Sequence, residues 1–241
     1  MKARLFGLFL FDMETKARNL LITTKDKFML NADSTQAFGM SKYMKFKFVY
    51  YGIKKPLRAK LQKEILAELG KPDFETIKSF ALLAWEEPER EMQYFAMDLL
   101  NAGKKNLQKN DLGFIKFLIE NKSWWDTVDS LAAHLAGTYF KLYPNFQELN
   151  NWIVSENFWF RRSAIIHQLT YKKETNEQML FEFCILLRKE KEFFIRKAIG
   201  WALRQYAYTS PENVINFVKD TDLSALSKRE ALKNIELQKQ F

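Results

Sequence analysis

Apolar stripes with a helical period run along most of this chain, and the helices that they predict recur at a nearly constant interval. One series of helices is predicted to open at Asp73, Asp111, Asn145, Asn176 and Pro211, with spacings of 38, 34, 31 and 35 residues. A second series opens near Pro88, Trp124, Phe158, Phe193 and Lys228, with spacings of 36, 34, 35 and 35 residues. Two interleaved series of this kind predict an all-α fold, an α-solenoid in which each helix pair packs against its neighbours.

The N-terminal part precedes these repeats. Residues 1–31 are expected to be an irregular start leading into one helix, whose apolar stripe is Leu20, Leu21, Phe28 and Met29. Asp33 and Ser34 are suited to cap a second helix that runs through Met44. Pro56 suits the first turn of a third helix, over residues 56–69. We predict a single α-helical repeat domain over residues 1–241, with 1–30 as an N-terminal helix region.

Composition narrows the class of protein. With 8 Gly and 5 Pro in 241 residues, the chain has too few turn formers for a loop-rich β-sandwich. The 38 Lys and Arg against 29 Asp and Glu give a net charge of +9, which favours a polyanion or an acidic membrane surface. The lone Cys184 excludes an intrachain disulfide, and the apolar run Leu5 to Phe11 is too short to span a bilayer. We therefore expect an intracellular, cytoplasmic protein.

Two helix faces carry the candidate chemistry. Trp125 and Asp129 lie one turn apart, so an indole and a carboxylate project from one face. Lys197, Trp201 and Arg204 fall at i, i+4 and i+7 of a later helix and also share a face. We predict that the two faces line one concave basic groove and that the groove holds DNA.

The register between repeats adds two further cations. Arg162 aligns with Lys197, and one unit earlier Asp129 takes the same position, so these three charges are predicted to line one wall. Arg161 would extend that basic surface toward phosphates. The alternative is that such charges pair with one another between repeats.

Signatures of common enzyme classes are missing from the sequence. His134 and His167 are too far apart to form a local ligand pair, and one cysteine adds no cluster, so no metal site is predicted. The chain has no glycine-rich phosphate loop and no G-x-S-x-G nucleophile elbow. We expect no cofactor.

Three stretches resemble the AlkD-like DNA alkylation-repair family. They run from Ser123 to Asp129, from Asn157 to Ile165 and from Glu192 to Tyr206. Tyr43-Met44-Lys45 and Tyr51-Gly52-Ile53 resemble that family's N-terminal signature, so the resemblance covers the chain from about residue 31 onward.

This resemblance implies a DNA glycosylase built of HEAT-like repeats that removes cationic alkylated purines of the N3-methyladenine and N7-methylguanine type. Asp129 would match the essential carboxylate, and Trp125 and Trp201 would match the two indoles of the groove. Basic residues and a tyrosine would hold the DNA, and the matching positions are Arg162, Arg204 and Tyr43.

The chemistry of such a substrate suits a site with one carboxylate. A purine alkylated at N3 or N7 is already a cation, so it leaves as a neutral base without a general acid. The sugar becomes oxocarbenium-like, and a nearby carboxylate stabilises it and orients the attacking water. Indole faces attract the cationic base by about 0.5 to 2 kcal/mol each.

Two other functions stay open on the sequence alone. The first is a non-catalytic repeat protein that binds DNA of unusual structure, and the second is a helical scaffold for acidic protein partners. The leading hypothesis has duplex DNA with alkylated bases as the partner and a monomer as the working form, acting at the nucleoid.

Overall fold

Helices provide the regular structure of residues 2–238, the part that this computed structural model describes; side chains are described for residues 14–233. No β-strand occurs in that part of the chain. The polypeptide divides into two units, Met1–Asn106 and Leu107–Phe241, each with its own packing. The single domain that the sequence suggested stays a prediction.

The first unit contains five helices within its described residues. They are α1 (Lys2–Leu30), α2 (Ser34–Tyr43), α3 (Lys55–Leu69), α4 (Phe74–Glu86) and α5 (Arg90–Gly103). Helix α4 packs against both α1 and α5. The aromatic rings of Phe28, Phe80 and Phe95 meet in the core, with centroids 5.4 Å apart for Phe80 and Phe95 and 6.3 Å for Phe28 and Phe95.

Two predictions for helix α1 are wrong. Helix α1 begins at Lys2, so the chain has no irregular start over the residues that the structure describes. Its buried stripe also differs from the predicted one, because Leu20 and Phe28 are buried while Met29 is 57% exposed. The buried positions 17, 20, 24 and 28 follow the helical period, and Met29 lies outside that face.

The Tyr51-Gly52-Ile53 signature has a structural explanation. The backbone N–H groups of these three residues donate to the buried carboxylate of Glu91, at 2.9 to 3.1 Å. Gly52 has a φ of +90°, and a Cβ there would lie 2.0 Å from the carbonyl oxygen of Asp33. Only glycine allows this close approach, which fixes the link between α2 and α3.

The second unit is a series of helix pairs. Its helices are α6 (Leu112–Glu120), α7 (Trp125–Ser130), α8 (Gly137–Leu142), α9 (Phe146–Ile153), α10 (Phe158–Ile166), α11 (Glu177–Leu186), α12 (Phe193–Ala207), α13 (Pro211–Asp220) and α14 (Ala225–Gln238). A π-helical segment, Leu131–Ala136, joins α7 to α8. The second helices of successive pairs stack, α10 on α7 and α12 on α10 and α14.

The predicted helix openings agree with this architecture, because the side chains of Asp73, Asn145 and Asn176 accept the backbone N–H that caps their helices. The opening near Lys228 is wrong by three residues, since α14 begins at Ala225. There the hydroxyl oxygen of Ser224 accepts the N–H of Ser227 at 3.1 Å. The all-α repeat fold is confirmed.

Candidate functional site

Asp129 is held by a two-pronged ion pair with the next repeat. It lies on α7, one turn after Trp125, and Arg162 lies on α10. The Nε and Nη2 atoms of Arg162 each donate to one carboxylate oxygen of Asp129 at 2.7 Å. Arg162 also donates through Nη1 to the carbonyl oxygen of Phe194 on α12. One guanidinium therefore connects three successive repeats.

The pair is largely shielded from water. The Arg162 side chain is 5% exposed and the Asp129 side chain 17% exposed. Burial raises the pKa of Asp129 above its ordinary value, and the hydrogen bonds from Arg162 oppose that rise. Four lone-pair directions exist on a carboxylate and Arg162 occupies two of them, so each oxygen can still accept another hydrogen bond.

The sequence predicted that Arg162 would be a cation facing the groove, but its side chain is buried in the structure. Its guanidinium faces Asp129 and a backbone carbonyl, and a phosphate would have to displace these partners. The alternative of charges pairing between repeats thus describes this residue. It recurs one step further along, where Lys197 pairs with Glu230 at 3.0 Å, again over 33 residues.

Asp129 and Trp201 line one open cleft of about 390 Å³ within the second unit. The remaining lining residues are Ser130, Ala133, His134, Leu169, Thr170, Lys172 and Gln205. Trp125 is half-buried and does not belong to this lining, although it shares α7 with Asp129. The structure therefore brings together the predicted acid and one of the two predicted indoles.

The helix that carries Asp129 changes its hydrogen bonding immediately after this residue. In the π-helical segment the N–H of Gly137 bonds to the carbonyl of Ala132, five residues earlier. The Thr170 hydroxyl donates to Ala133 O at 3.3 Å, and Tyr171 donates to Gly137 O at 2.6 Å. A Cβ on Gly137 would lie 2.4 Å from the carbonyl oxygen of His167, so glycine permits this contact. Segments of this type often occur at functional sites, and here it is tied to the chain that forms the far wall of the cleft.

Lys197 and Arg204, on either side of Trp201, share one carboxylate. Glu230 on α14 accepts from Lys197 at 3.0 Å and from Arg204 at 2.8 Å. The bond from Lys197, with help from Arg204, holds the pKa of Glu230 below its ordinary value despite some burial. The side chains of Lys197 and Arg204 stay 36% and 22% exposed. Part of the positive charge on this predicted basic face is therefore balanced by Glu230.

Close packing sets this arrangement. A Cβ on Gly200 would lie 2.5 Å from the Cβ of Glu230 and 2.9 Å from the carbonyl oxygen of Ser227. Helix α12 therefore approaches α14 through Gly200, which is the residue before Trp201. A larger residue would move Glu230 relative to Trp201.

The last two predicted site residues have separate settings. Arg161 donates to the carbonyl oxygen of Glu156, on the loop before α10, at 2.9 Å, and its Nε lies 3.4 Å from Glu190, on the connection between α11 and α12. Tyr43 lies at the end of α2 in the first unit and is 72% exposed.

Sequence reasoning missed several residues of the cleft. Gln205 follows Trp201 by one turn of α12, and that spacing would have found it. Lys172 and Thr170 lie on the connection after α10, where no helical period applies, so no signal pointed to them.

Comparisons with known proteins agree on one family. The profile of the DNA alkylation repair enzyme family matches residues 24–235. The chain belongs to this family. A predicted DNA alkylation repair enzyme from Enterococcus faecalis is 36% identical, with a TM-score of 0.75 over 84% of this chain and 95% of that one.

Two more distant structures support the fold. AlkD2 from Streptococcus mutans is 22% identical, with a TM-score of 0.52 over 71% of this chain and 85% of that one. The smu.31 protein of Streptococcus mutans UA159 is also 22% identical, with a TM-score of 0.53 over 74% of this chain and 98% of that one. No curated protein gave a significant match. The family supports a general role as a DNA repair enzyme.

The other groups singled out in the sequence are buried or unclustered. His167 is 2% exposed, and burial lowers its pKa to about 4, so the imidazole is neutral. Cys184 is fully buried, which raises the pKa of its thiol. Within residues 14–233 no three His, Cys, Asp or Glu side chains come together as a metal site. None of the helices in the described part of the chain has the length and apolarity to cross a membrane.

Proposed function

We propose that this protein is a DNA glycosylase that hydrolyses the N-glycosidic bond of cationic alkylated purines in duplex DNA. The observation that carries the proposal is the cleft that Asp129 and Trp201 line together. A carboxylate and an indole are the two groups that the reaction needs, one for the developing sugar cation and one for the cationic base. The abasic product would enter base excision repair.

The reaction needs no general acid. The C1′–N9 bond breaks with both electrons going to the base, which leaves neutral because its alkyl group had made it a cation. Asp129 faces the oxocarbenium-like sugar and stabilises its positive charge. Water adds to C1′ and loses its proton to Asp129 or to solvent, which leaves an abasic site and a free methylated purine.

Arg162 acts in this scheme as a positioning residue. Its two bonds fix the direction of the Asp129 carboxylate, and they favour the ionised form that burial disfavours. Its positive charge also reduces the field that Asp129 projects. The free lone pairs of the carboxylate therefore carry the contact with the sugar or the water.

The remaining predicted residues take their roles from this site. Trp201 stacks against the lesion or its sugar within the cleft, and Trp125 is assigned to the same indole function. Lys197 and Arg204 bind phosphates next to Trp201, in competition with Glu230. Arg161 and Tyr43 are assigned to the DNA backbone. A monomer, working without cofactor in the cytoplasm at the nucleoid, stays our prediction.

The test is release of free base from duplex DNA that contains N7-methylguanine or N3-methyladenine, measured by chromatography. We expect Asp129→Asn to abolish release while binding to undamaged duplex stays within a few-fold of wild type. Asp126→Asn, three residues earlier on α7, is the matched control and should keep most of the activity. Base release by Asp129→Asn at the wild-type rate would rule out this assignment.

A second candidate function has an observation in its favour. The Asp129–Arg162 pair has the same 33-residue spacing as the Lys197–Glu230 pair, so it also suits a purely structural link between repeats. In that case the protein binds DNA of unusual structure without catalysis. Wild-type protein that binds the damaged duplex but releases no base would favour this candidate.

A further inference from the structure

The turn that follows α2 has an unusual backbone. Lys45 and Phe46 both have a φ of +56°, a left-handed conformation that costs free energy for residues other than glycine. The turn is held by its own hydrogen bonds, since Phe46 N donates to Ser41 O at 2.7 Å and Lys45 N to Lys42 O at 3.0 Å. The Ser41 hydroxyl donates to the carbonyl oxygen of Phe48, which closes the turn.

Both ends of the turn are anchored. Met44 is 6% exposed, and the Phe48 ring lies under the guanidinium of Arg90, 3.8 Å from its Cζ. The residues between them point outward, because Lys45, Phe46 and Lys47 are all exposed. The strained backbone thus presents a few side chains to solvent from a fixed base.

The side chains that it presents are aromatic and basic. Phe46 is 62% exposed and lies 5.8 Å, centroid to centroid, from the ring of Phe38 on α2, which is 63% exposed. Lys42, one turn after Phe38 on the same helix, is also exposed. We call Phe38, Lys42, Lys45 and Phe46 the Phe46 surface. Burial of phenyl rings is favourable, so exposed rings held in place by a strained turn indicate a partner.

The segment of the chain that carries this surface is basic, and its charge selects the class of partner. From Ser34 to Lys63 the sequence has eight Lys and Arg and no Asp or Glu. Lysines bind phosphates, and aromatic rings stack on bases whatever the sequence, because every base has a flat π face. A paired, stacked duplex covers those faces, so the rings need a base that is out of the stack.

We propose that the Phe46 surface is a stacking site for an unpaired base of DNA, separate from the cleft of Asp129, with Lys42 and Lys45 on the flanking phosphates. The proposal rests on the proposed function in one respect, that DNA is the ligand. It adds a preference for DNA with a locally unstacked base, set by Phe46.

The test compares two labelled DNAs that differ only in stacking. Full-length protein is titrated by fluorescence anisotropy into a perfectly paired duplex and into the same duplex with a one-nucleotide bulge. We expect wild type to bind the bulged duplex more tightly. Phe46→Ala should lower that affinity by about 5- to 150-fold, the range for loss of one base–aromatic stack, and leave the paired duplex almost unaffected.

Three further variants separate the causes. Phe46→Leu keeps an apolar side chain in the same backbone, and we expect it to lose most of the preference because it has no ring. Lys45→Gln should weaken the binding of both DNAs and flatten the salt dependence of that binding. Phe146→Ala, an equally exposed phenylalanine at the start of α9, is the control and should match wild type. Thermal unfolding of each variant checks that it is folded.

Equal binding of both DNAs by wild type, or no selective loss in Phe46→Ala, would overturn the proposal. Its failure is distinct from failure of the proposed glycosylase, because base release and the effect of Asp129→Asn are measured separately. Loss of the bulge preference in Phe46→Ala with no base release by wild type would support the stacking site and reject the glycosylase.

Discussion

Arg162 offers the sharpest physical test of how the second unit holds its carboxylate. Arg162→Met removes the guanidinium and keeps much of the side-chain volume. Asp129, whose side chain is 17% exposed in the wild type, then loses two bonds of 2.7 Å, while Phe194 loses a donor to its carbonyl. Breaking a buried pair in this way costs about 3 to 5 kcal/mol, because the partner charge is left uncompensated.

The loss of stability caused by Arg162→Met must depend on pH. In wild type the pKa of Asp129 is raised above its unfolded value, so its stabilising contribution is greatest at low pH and falls as pH rises through the folded pKa. Without Arg162 that pKa rises further, and the loss of stability on ionisation becomes larger. The difference between wild type and Arg162→Met is therefore small where Asp129 is protonated and grows toward neutral pH.

Urea unfolding at several pH values measures this difference. Five of the six tryptophans lie between residues 124 and 201, so their fluorescence reports mainly on the second unit. Asp129→Asn and the double variant complete a cycle, and we expect a coupling energy of about 1.5 to 3 kcal/mol, the range for hydrogen bonds to charged groups. A destabilisation below about 1 kcal/mol at pH 7.5, or one that does not change with pH, contradicts the reasoning on buried pairs.

Three further variants test the rest of the site. Trp201→Ala should lower base release by about 2- to 30-fold, the loss of one cation–π contact of 0.5 to 2 kcal/mol, and Trp201→Phe should recover part of it. Glu230→Gln should strengthen binding to undamaged duplex and steepen the salt dependence of that binding, because Lys197 and Arg204 lose their carboxylate partner. Fluorescence anisotropy at two salt concentrations measures this change. Unchanged affinity would mean that neither cation reaches the DNA. Gly200→Ala should destabilise the protein by about 1 to 3 kcal/mol, since its Cβ would crowd Ser227 and Glu230 on α14; thermal unfolding equal to wild type would refute the close approach.

The helix order was predictable in part because several helices have a local signal at their start. Asp33, Asp73, Asn145 and Asn176 each accept a backbone N–H at the start of their helix, and residues of this type are recognisable in the sequence. The start of α14 was missed because its cap residue, Ser224, is a weaker signal than the apolar pattern, which placed the start near Lys228. The N-terminal helix was predicted, but its early start at Lys2 was missed because Asp12 and Glu14 interrupt its apolar residues.

The candidate site was predictable in its register but not in its pairing. The 33-residue step places Asp129 and Arg162 at equivalent positions, and it reaches Glu230 when applied once more from Lys197. Whether such charges face a groove or one another depends on long, flexible side chains and on how closely α10 and α12 approach their neighbours. Gly200 sets one of these distances, and its effect is visible only in three dimensions.

The pairing has a consequence for where DNA affinity resides. Asp129 pairs with Arg162, and Glu230 pairs with both Lys197 and Arg204, so much of the positive charge at these residues is balanced within the protein. The second unit has 19 Lys and Arg against 16 Asp and Glu, whereas the first has 19 against 13 and holds the run from Ser34 to Lys63 that has no acid. Counterion release scales with the phosphates that are neutralised, so most of the salt-sensitive affinity should come from the first unit. On this argument the second unit carries the catalytic groups. Substitution of exposed lysines in the first unit should therefore flatten the salt dependence of DNA affinity without changing the rate of base release from bound DNA.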